Sequence, residues 1–225
     1  MIRTVIVDDE VLVRGGLRAL LATAGDIEVV GEAADGVEAI SVVREAAPDV
    51  VLMDVHMTLR DGIEATRQLV KMQDAPAILV LTSLDTDNNV LKALDAGAMG
   101  FILKTARPEQ ILTAVRMVAA GGTATTPDVM ARLVGGPRVR NPHRVASARQ
   151  RIELLNERHR EVLLLVSRGY SNARIAKELV MTESTIKTYV SRMLDRLGLE
   201  NRTQAALLVY ESGMLDEPTD PEIPS

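Results

Sequence analysis

No cysteine occurs among the 225 residues. That absence excludes a disulfide framework, a thiolate nucleophile and a cysteine-type zinc site, and it makes a reducing cytoplasm the expected compartment. Also missing is any uninterrupted apolar stretch of about 18 residues, the length a membrane span requires. The first apolar run, Ile2 to Val7, is broken at once by Asp8, Asp9 and Glu10, so a signal-peptide core is not expected either. What remains is an ordinary globular mixture, 47% hydrophobic and 25% charged, in a chain long enough for two domains.

The formal charge of −5 is unevenly spread. Residues 1–120 carry 11 Lys+Arg against 18 Asp+Glu, residues 121–210 carry 15 against 8, and residues 211–225 carry none against 5. An acidic first half joined to a basic second half points to a polyanion as partner of the latter. An acidic unit of charge −7 beside a region of +7 also leads us to expect that the first half screens or covers the binding helix of the second in the resting chain.

Five short apolar runs punctuate the first half: Val5-Ile6-Val7, Val29-Val30, Val50-Val51-Leu52-Met53, Ile78-Leu79-Val80-Leu81 and Phe101-Ile102-Leu103. They are continuous and rich in β-branched residues, as buried parallel strands are. Between them lie stretches of helical spacing, such as Val11, Leu17, Leu20 and Leu21, or Ile63, Leu69 and Val70. The alternation predicts an α/β fold, a five-stranded parallel (βα)5 sheet of flavodoxin-like order 2-1-3-4-5, with ligands at the carboxyl ends of strands 1 and 3. Asp8 and Asp9 end the first run and Asp54 ends the third, so three carboxylates meet there.

A fifth helix is expected over about Pro108 to Ala120, then a linker over 121–151. The linker carries Gly121-Gly122, a short helix candidate near Val129 to Val134, Gly135-Gly136-Pro137, Asn141-Pro142 and several arginines. Residues 152–215 read as an all-α, four-helix unit, and 216–225, with three prolines, as a frayed acidic tail.

Three carboxylates held together repel, each pair by about 4 kcal/mol at 4 Å in an effective dielectric near 20. An all-oxygen cluster of this kind favours Mg²⁺, which retains waters and accepts a phosphate. Lys104 after the fifth strand adds a fixed cation and Thr82 after the fourth adds a hydroxyl donor. A carboxylate nucleophile, a metal and positive charge on the equatorial oxygens are the components of phosphoryl transfer.

The motifs Val7-Asp8-Asp9-Glu10, Met53-Asp54-Val55-His56-Met57, Asp61-Gly62, Leu81-Thr82-Ser83 and Gly97-Ala98-Met99-Gly100-Phe101 through Leu103-Lys104 together resemble the receiver domain of response regulators of the NarL/FixJ (LuxR-type) branch over residues 1–120. The resemblance implies that Asp54 is the phosphoacceptor, and that Asp9, Asp54 and the main-chain carbonyl of His56 bind Mg²⁺, with Asp8 supporting the metal from outside. It further implies that Thr82 and Phe101 are the switch pair and Lys104 the phosphate-binding lysine. Thr58 stands where the family usually has proline, and Thr105 follows Lys104 where an acidic residue or proline is commoner; both bear on phosphoryl lifetime.

In the second half, helices are expected at about Arg158 to Ser167, at Asn172 to Leu179 capped by Ser171, at Glu183 to Leu197 capped by Thr182, and from Asn201 onward. The second and third, joined by a short turn, form a helix-turn-helix. Lys187, Thr188, Ser191 and Arg192 make one exposed stripe, opposite a core face of Ile186, Val190, Met193 and Leu197. Glu161-Val162-Leu163, Gly169-Tyr170-Ser171-Asn172, Ile175-Ala176, Glu183-Ser184-Thr185-Ile186-Lys187 and Gln204-Ala205 resemble the LuxR-type output domain. That resemblance implies base-edge contacts from Lys187, Thr188 and Ser191, phosphate contacts from Thr185, Arg192 and Arg168, and a dimerisation role for the last helix. Asn156 and Tyr189 depart from its usual Thr and His.

The sequence thus reads as a non-enzymatic, phosphorylation-controlled transcription regulator. It takes its phosphoryl group from a sensor histidine kinase and binds double-stranded DNA as a homodimer, away from any membrane. Two alternatives are an aspartyl-phosphate phosphatase or hydrolase, whose Asp-x-Asp motif is missing at Asp54-Val55-His56, and a receiver with a protein-binding output.

Overall fold

The computed structural model describes residues 1–57, 61–82, 92–124 and 142–214. Strands β1 (Ile2–Val7), β2 (Ile27–Ala33), β3 (Val50–Asp54), β4 (Ala77–Thr82) and β5 (Gly100–Leu103) are all parallel, in the order β2-β1-β3-β4-β5. Helices α1 (Val11–Ala22), α2 (Gly36–Ala46), α3 (Gly62–Leu69) and α4 (Pro108–Ala119) cover the sheet. One face packs Val5, Val51, Met53 and Ile78 against α2 and α3, and the other packs Ile6, Leu52, Leu79 and Ile102 against α1 and α4. Every residue of the central strand β3 is buried, as a continuous apolar run requires, whereas edge strand β2 buries only its terminal residues fully.

Two sequence expectations shift here. Val11, read as part of the core stripe of α1, is 69% exposed and Leu12 beside it 90%; the buried stripe is Leu17 and Leu21. A spacing of six residues turns Val11 through 600° relative to Leu17, off the core face. The stretch read as linker to residue 151 ends in a helix, α5 (Pro142–Glu153), whose Ala148 and Ile152 enter the second core. Pro142 is compatible with a helix start, where its missing N–H costs nothing, so Asn-Pro opened an element rather than marking a break. The short helix candidate at Val129 to Val134, Thr58 and the tail lie outside the described residues.

The second half continues with α6 (Glu157–Ser167), α7 (Asn172–Glu178), α8 (Glu183–Leu197) and α9 (Arg202–Ser212). Side-chain caps start each one: Asn156, Ser171, Thr182 and Asn201 accept from main-chain N–H groups of the first turn. α6 and α8 stop at glycines in the left-handed region or just before them, Gly169 at φ 78° and Gly198 at φ 61°. α6, α7, α8 and α9 close around Val162, Ile175, Ile186, Met193 and Leu208.

Gly62 permits the start of α3 to approach β3, since a Cβ there would lie 1.9 Å from the main-chain oxygen of Asp54. Gly62→Ala is therefore expected to destabilise the first domain by about 1–3 kcal/mol, the range for overpacking, read as a fall in the urea midpoint at unchanged m-value.

Candidate phosphoryl site and nucleic-acid interface

Strand register assembles the acidic site. Val7 pairs with Met53 and Asp54 with Leu81, so the residues that follow β1 and close β3 emerge side by side at the carboxyl edge. Asp8, Asp9 and Asp54 each place a carboxylate oxygen within 4.8 Å of the others. Asp8 and Asp54 are buried and Asp9 half-buried. Lys104 reaches in from the far side, its Nζ 2.8 Å from Asp8 Oδ2 and 3.1 Å from Asp54 Oδ2, with Glu10 at 3.6 Å. Its backbone is fixed there by an N–H donated to the carbonyl of Thr82 at 2.9 Å. The N–H of Glu10 donates to Asp8 Oδ1 at 2.9 Å, and Arg14 to the Asp8 carbonyl at 2.6 Å.

Burial pushes the Asp54 carboxyl above its ordinary value, and the Lys104 ammonium and the His56 N–H counter only part of that. Burial by itself would lower the Lys104 ammonium, but hydrogen bonding and charge from Asp8 and Asp54 outweigh it and hold it above its usual range. The donor set suits Mg²⁺: carboxylate oxygens from three residues converge, and buried Asp8 Oδ2 meets the ammonium as an ion pair without a well-aligned hydrogen bond. The His56 side chain is exposed and its main-chain N–H serves Asp54. Thr82 is buried at the end of β4, and Phe101, paired in register with Val80, is buried in the core beside α2 and α3.

On α8, Lys187, Thr188, Ser191 and Arg192 are exposed and Ile186, Val190, Met193 and Leu197 buried, as the stripe predicts. Lys187 pairs with Glu183 one turn earlier at 3.4 Å, an exposed and therefore weak ion pair. Thr185 is engaged locally, its hydroxyl 2.7 Å from that of the cap residue Thr182. Arg168 is exposed at the other end of α6, where its neighbour Gly169 abuts Thr123, and is not brought to the recognition stripe.

Among the described residues the receiver leaves the stripe of α8 exposed and holds α9 instead, so the covering expected from charge is not what these residues show. α9 is buried on two faces: Ala205, Leu208 and Val209 enter the output core, while Ala206 enters the receiver core with Leu207 and Tyr210 against it. Asn201 Nδ2 donates to the Leu94 carbonyl at 2.9 Å, Thr203 Oγ1 to the Ala98 carbonyl at 3.0 Å, and Gln204 Nε2 to Asp95 at 3.2 Å. Arg202, which the sequence reading passed over, is 8% exposed and donates to the carbonyls of Gly121 and Tyr170. With no carboxylate paired with it among the described residues, burial pulls its guanidinium down to about 10. Charge totals misled because most of the contact runs through main-chain carbonyls and apolar side chains, which carry no formal charge, with Arg202 and Asp95 as its charged members.

Comparison with known proteins agrees with this architecture. Residues 4–116 match the response regulator receiver domain and residues 153–209 the luxR family of bacterial regulatory proteins. The chain belongs to the luxR-family response regulators. The response regulator protein VraR of Staphylococcus aureus is 40% identical over 214 residues, covering 95% of this chain and 99% of that one. The crystal structure of ChrA, response regulator of a heme-sensing two-component system, is 33% identical with a TM-score of 0.52, covering 92% of this chain and 96% of that one. Two RcsB dimers bound to two parallel DNAs give 26% identity and a TM-score of 0.55, with 94% and 98% covered. This regulator is accordingly a phosphorylation-controlled, DNA-binding transcription regulator, and the hydrolase alternative falls away. No helix among the described residues is long and apolar enough to cross a membrane.

Because α9 is clamped between the two cores, Ala206→Arg should separate the domains without disturbing the output core. A compact chain of this length has a radius of gyration of about 17 Å. Small-angle scattering should place the variant several ångströms above the parent, and equal radii would show that the clamp is not what holds the domains together.

Proposed function

We propose that Asp54 accepts a phosphoryl group from a sensor histidine kinase, and that the resulting acyl phosphate releases α9 for homodimerisation on an operator with two half-sites. The observation that supports this most directly is Lys104 Nζ lying within 3.1 Å of both Asp8 and Asp54 among three converging carboxylates. In the transfer, an oxygen of the Asp54 carboxylate bonds to phosphorus as the donor's nitrogen–phosphorus bond breaks, and the electron pair stays with the donor imidazole. Asp9, Asp54 and the main-chain carbonyl of His56 would hold Mg²⁺, with Asp8 supporting it from outside. The ion supplies charge neutralisation for the incoming phosphate and the carboxylates.

Phosphorylation replaces the single charge of the Asp54 carboxylate with the roughly 1.5 to 2 negative charges of a phosphate, beside the Lys104 that now bridges two carboxylates. Lys104 and the Thr82 hydroxyl are the donors placed to turn toward it. Phe101 shares a core with Ala206 of α9, so a shift of Thr82 and Phe101 is felt at the clamp. The functional division we favour is a receiver over 1–120 and an output domain over 152–215, working in the cytoplasm, with the helix α5 attached to the output side.

Asp54→Asn is nearly isosteric and should abolish labelling by a small phosphodonor in the presence of Mg²⁺ while the circular dichroism spectrum stays unchanged. A Phos-tag shift persisting in the variant would show that the acceptor lies elsewhere.

On the DNA side, Lys187→Ala should cost about 1–3 kcal/mol of discrimination between operator and random DNA if Lys187 reads a base, whereas Arg192→Ala should weaken both equally and flatten the salt slope by about one. Titrations of the two DNAs at several salt concentrations separate the roles. Equal losses on both DNAs for Lys187→Ala would mean that it touches phosphate.

A further inference from the structure

Where α9 ends, the chain is delivered to a basic surface. Gly213 takes φ 75° as the helix stops, and Met214 packs against the output core. Met214 also lines a cleft of about 210 Å³ with Arg149, Ile152, Glu153 and Arg160, between α5, the start of α6 and the end of α9. Arg149 donates from Nε to the carbonyl of Ser212 at 2.9 Å, one of those that the end of a helix leaves over. Arg160 donates to the carbonyls of Leu155 at 2.9 Å and Glu153 at 3.4 Å, and pairs with no carboxylate among the described residues. These bonds position the two guanidinium groups without neutralising them, and both side chains are exposed. Against their two charges the cleft sets the single carboxylate of Glu153, and α5 as a whole carries three arginines against that one glutamate.

The residues that follow are of the opposite charge. Residues 215–225 hold Asp216, Glu217, Asp220 and Glu222, and no lysine, arginine or histidine. The tightest constraint is covalent. Two residues of chain span at most about 7 Å, so Asp216 is tethered to a residue that itself lines the cleft. A charge held that close meets the arginines at a high effective concentration, and ion pairs too weak to join separate molecules suffice. Pro218, Pro221 and Pro224 restrict the segment beforehand, which lowers the entropy lost on docking. The luxR-family match stops at residue 209, before this segment begins, so the feature belongs to this chain and not to the family's pattern.

We propose that the acidic segment after α9 is the occupant of this cleft, Asp216 and Glu217 accepting from Arg149 and Arg160 and tying α5 and α6 to the end of α9. The inference stands apart from phosphoryl transfer at Asp54 and from DNA binding by α8. Its consequence is mechanical. α5 brings the chain into the output core through Ala148 and Ile152, and α9 is the helix shared with the receiver. A segment docked across both makes α5 a fixed part of the output domain, so that a displacement of the preceding chain is passed on to α9. The contact joins exposed charges, and added salt weakens it.

The test uses the full chain and follows amide hydrogen exchange at Ser212, Gly213 and Met214. At about 50 mM salt, Arg160→Gln and the paired change Asp216→Asn with Glu217→Gln should each speed exchange about fivefold, the scale of exposed ion pairs. Combined, they should give well under the roughly twenty-fivefold product expected of independent sites. At about 0.5 M salt all four proteins should converge. The paired change lies outside every helix described and does not depend on α6 tolerating Arg160→Gln. Because the chain has no cysteine, Thr219→Cys offers a unique site for a spin label. Its broadening of amides in α5 and the first turn of α6 should weaken when Asp216 and Glu217 are neutralised. Unchanged exchange in the paired variant, a full product in the combination, or broadening of α8 in place of α5 overturns the proposal.

Discussion

The first domain is organised around two carboxylates that the sheet carries out of water. Asp8 and Asp54 are both buried at the carboxyl edge, held there by the pairing of β1 with β3. At about 4 Å in a protein-like dielectric two such charges repel by roughly 4 kcal/mol, and Lys104, ion-paired with both, offsets that repulsion. Much else follows from that pairing. Lys104 must follow β5 directly, β5 must lie beside β4 so that the Thr82 carbonyl can hold the Lys104 amide, and Gly62 must lack a side chain so that α3 can begin against the Asp54 main chain. The site is anionic in excess of its one bridging cation, which leaves it suited to a divalent ion and then to a phosphate.

The second organising element is α9, apolar nearly all round and shared by two cores. Ala205, Leu208 and Val209 follow the i, i+3, i+4 spacing of one stripe, and Ala206 and Tyr210, i and i+4, make the other. Between these stripes Gln204 and Glu211, seven residues apart, keep one side of the helix partly open to solvent. In the resting chain the receiver occupies the second stripe. It also presents the main-chain carbonyls of Leu94 and Ala98, which accept from the side chains of Asn201 and Thr203.

Legibility in the sequence divided along physical lines. The strands, their order and the convergence of Asp8, Asp9 and Asp54 could be read because a parallel sheet buried on both faces leaves continuous apolar runs, and the acids stand directly at their ends. The α8 stripe was readable because 3.6-residue periodicity sorts Lys187 and Arg192 from Ile186 and Val190. α5 was hidden: its helical face amounts to Ala148 and Ile152 in a segment dominated by arginine, glycine and proline. Arg202 gave a surface-residue signal, although an arginine directly after a capping asparagine, at the start of a helix with little polar face, was a clue that it would be buried.

The clamp on α9 is built to be reversible. Its contacts are hydrogen bonds to main-chain carbonyls and a narrow apolar stripe centred on alanine, interactions that water can replace at modest cost, a neutral pair being worth about 0.5–1.5 kcal/mol net. Arg202 tilts the balance further. Among the described residues its buried guanidinium has no carboxylate and its Nε no partner, and opening the seam would return to solvent a charge that the closed form holds at a disadvantage. A closed state weakened in this way lies near its open alternative, and reversing a population from 1:99 to 99:1 takes only about 5.5 kcal/mol. An acyl phosphate at Asp54 would exchange one charge for nearly two at a low-dielectric edge where one lysine already serves two carboxylates, and a redistribution of that kind can supply a difference of that size. The same seam built on a paired salt bridge and a broad leucine face would stay shut, and the phosphoryl group would have too little energy to open it.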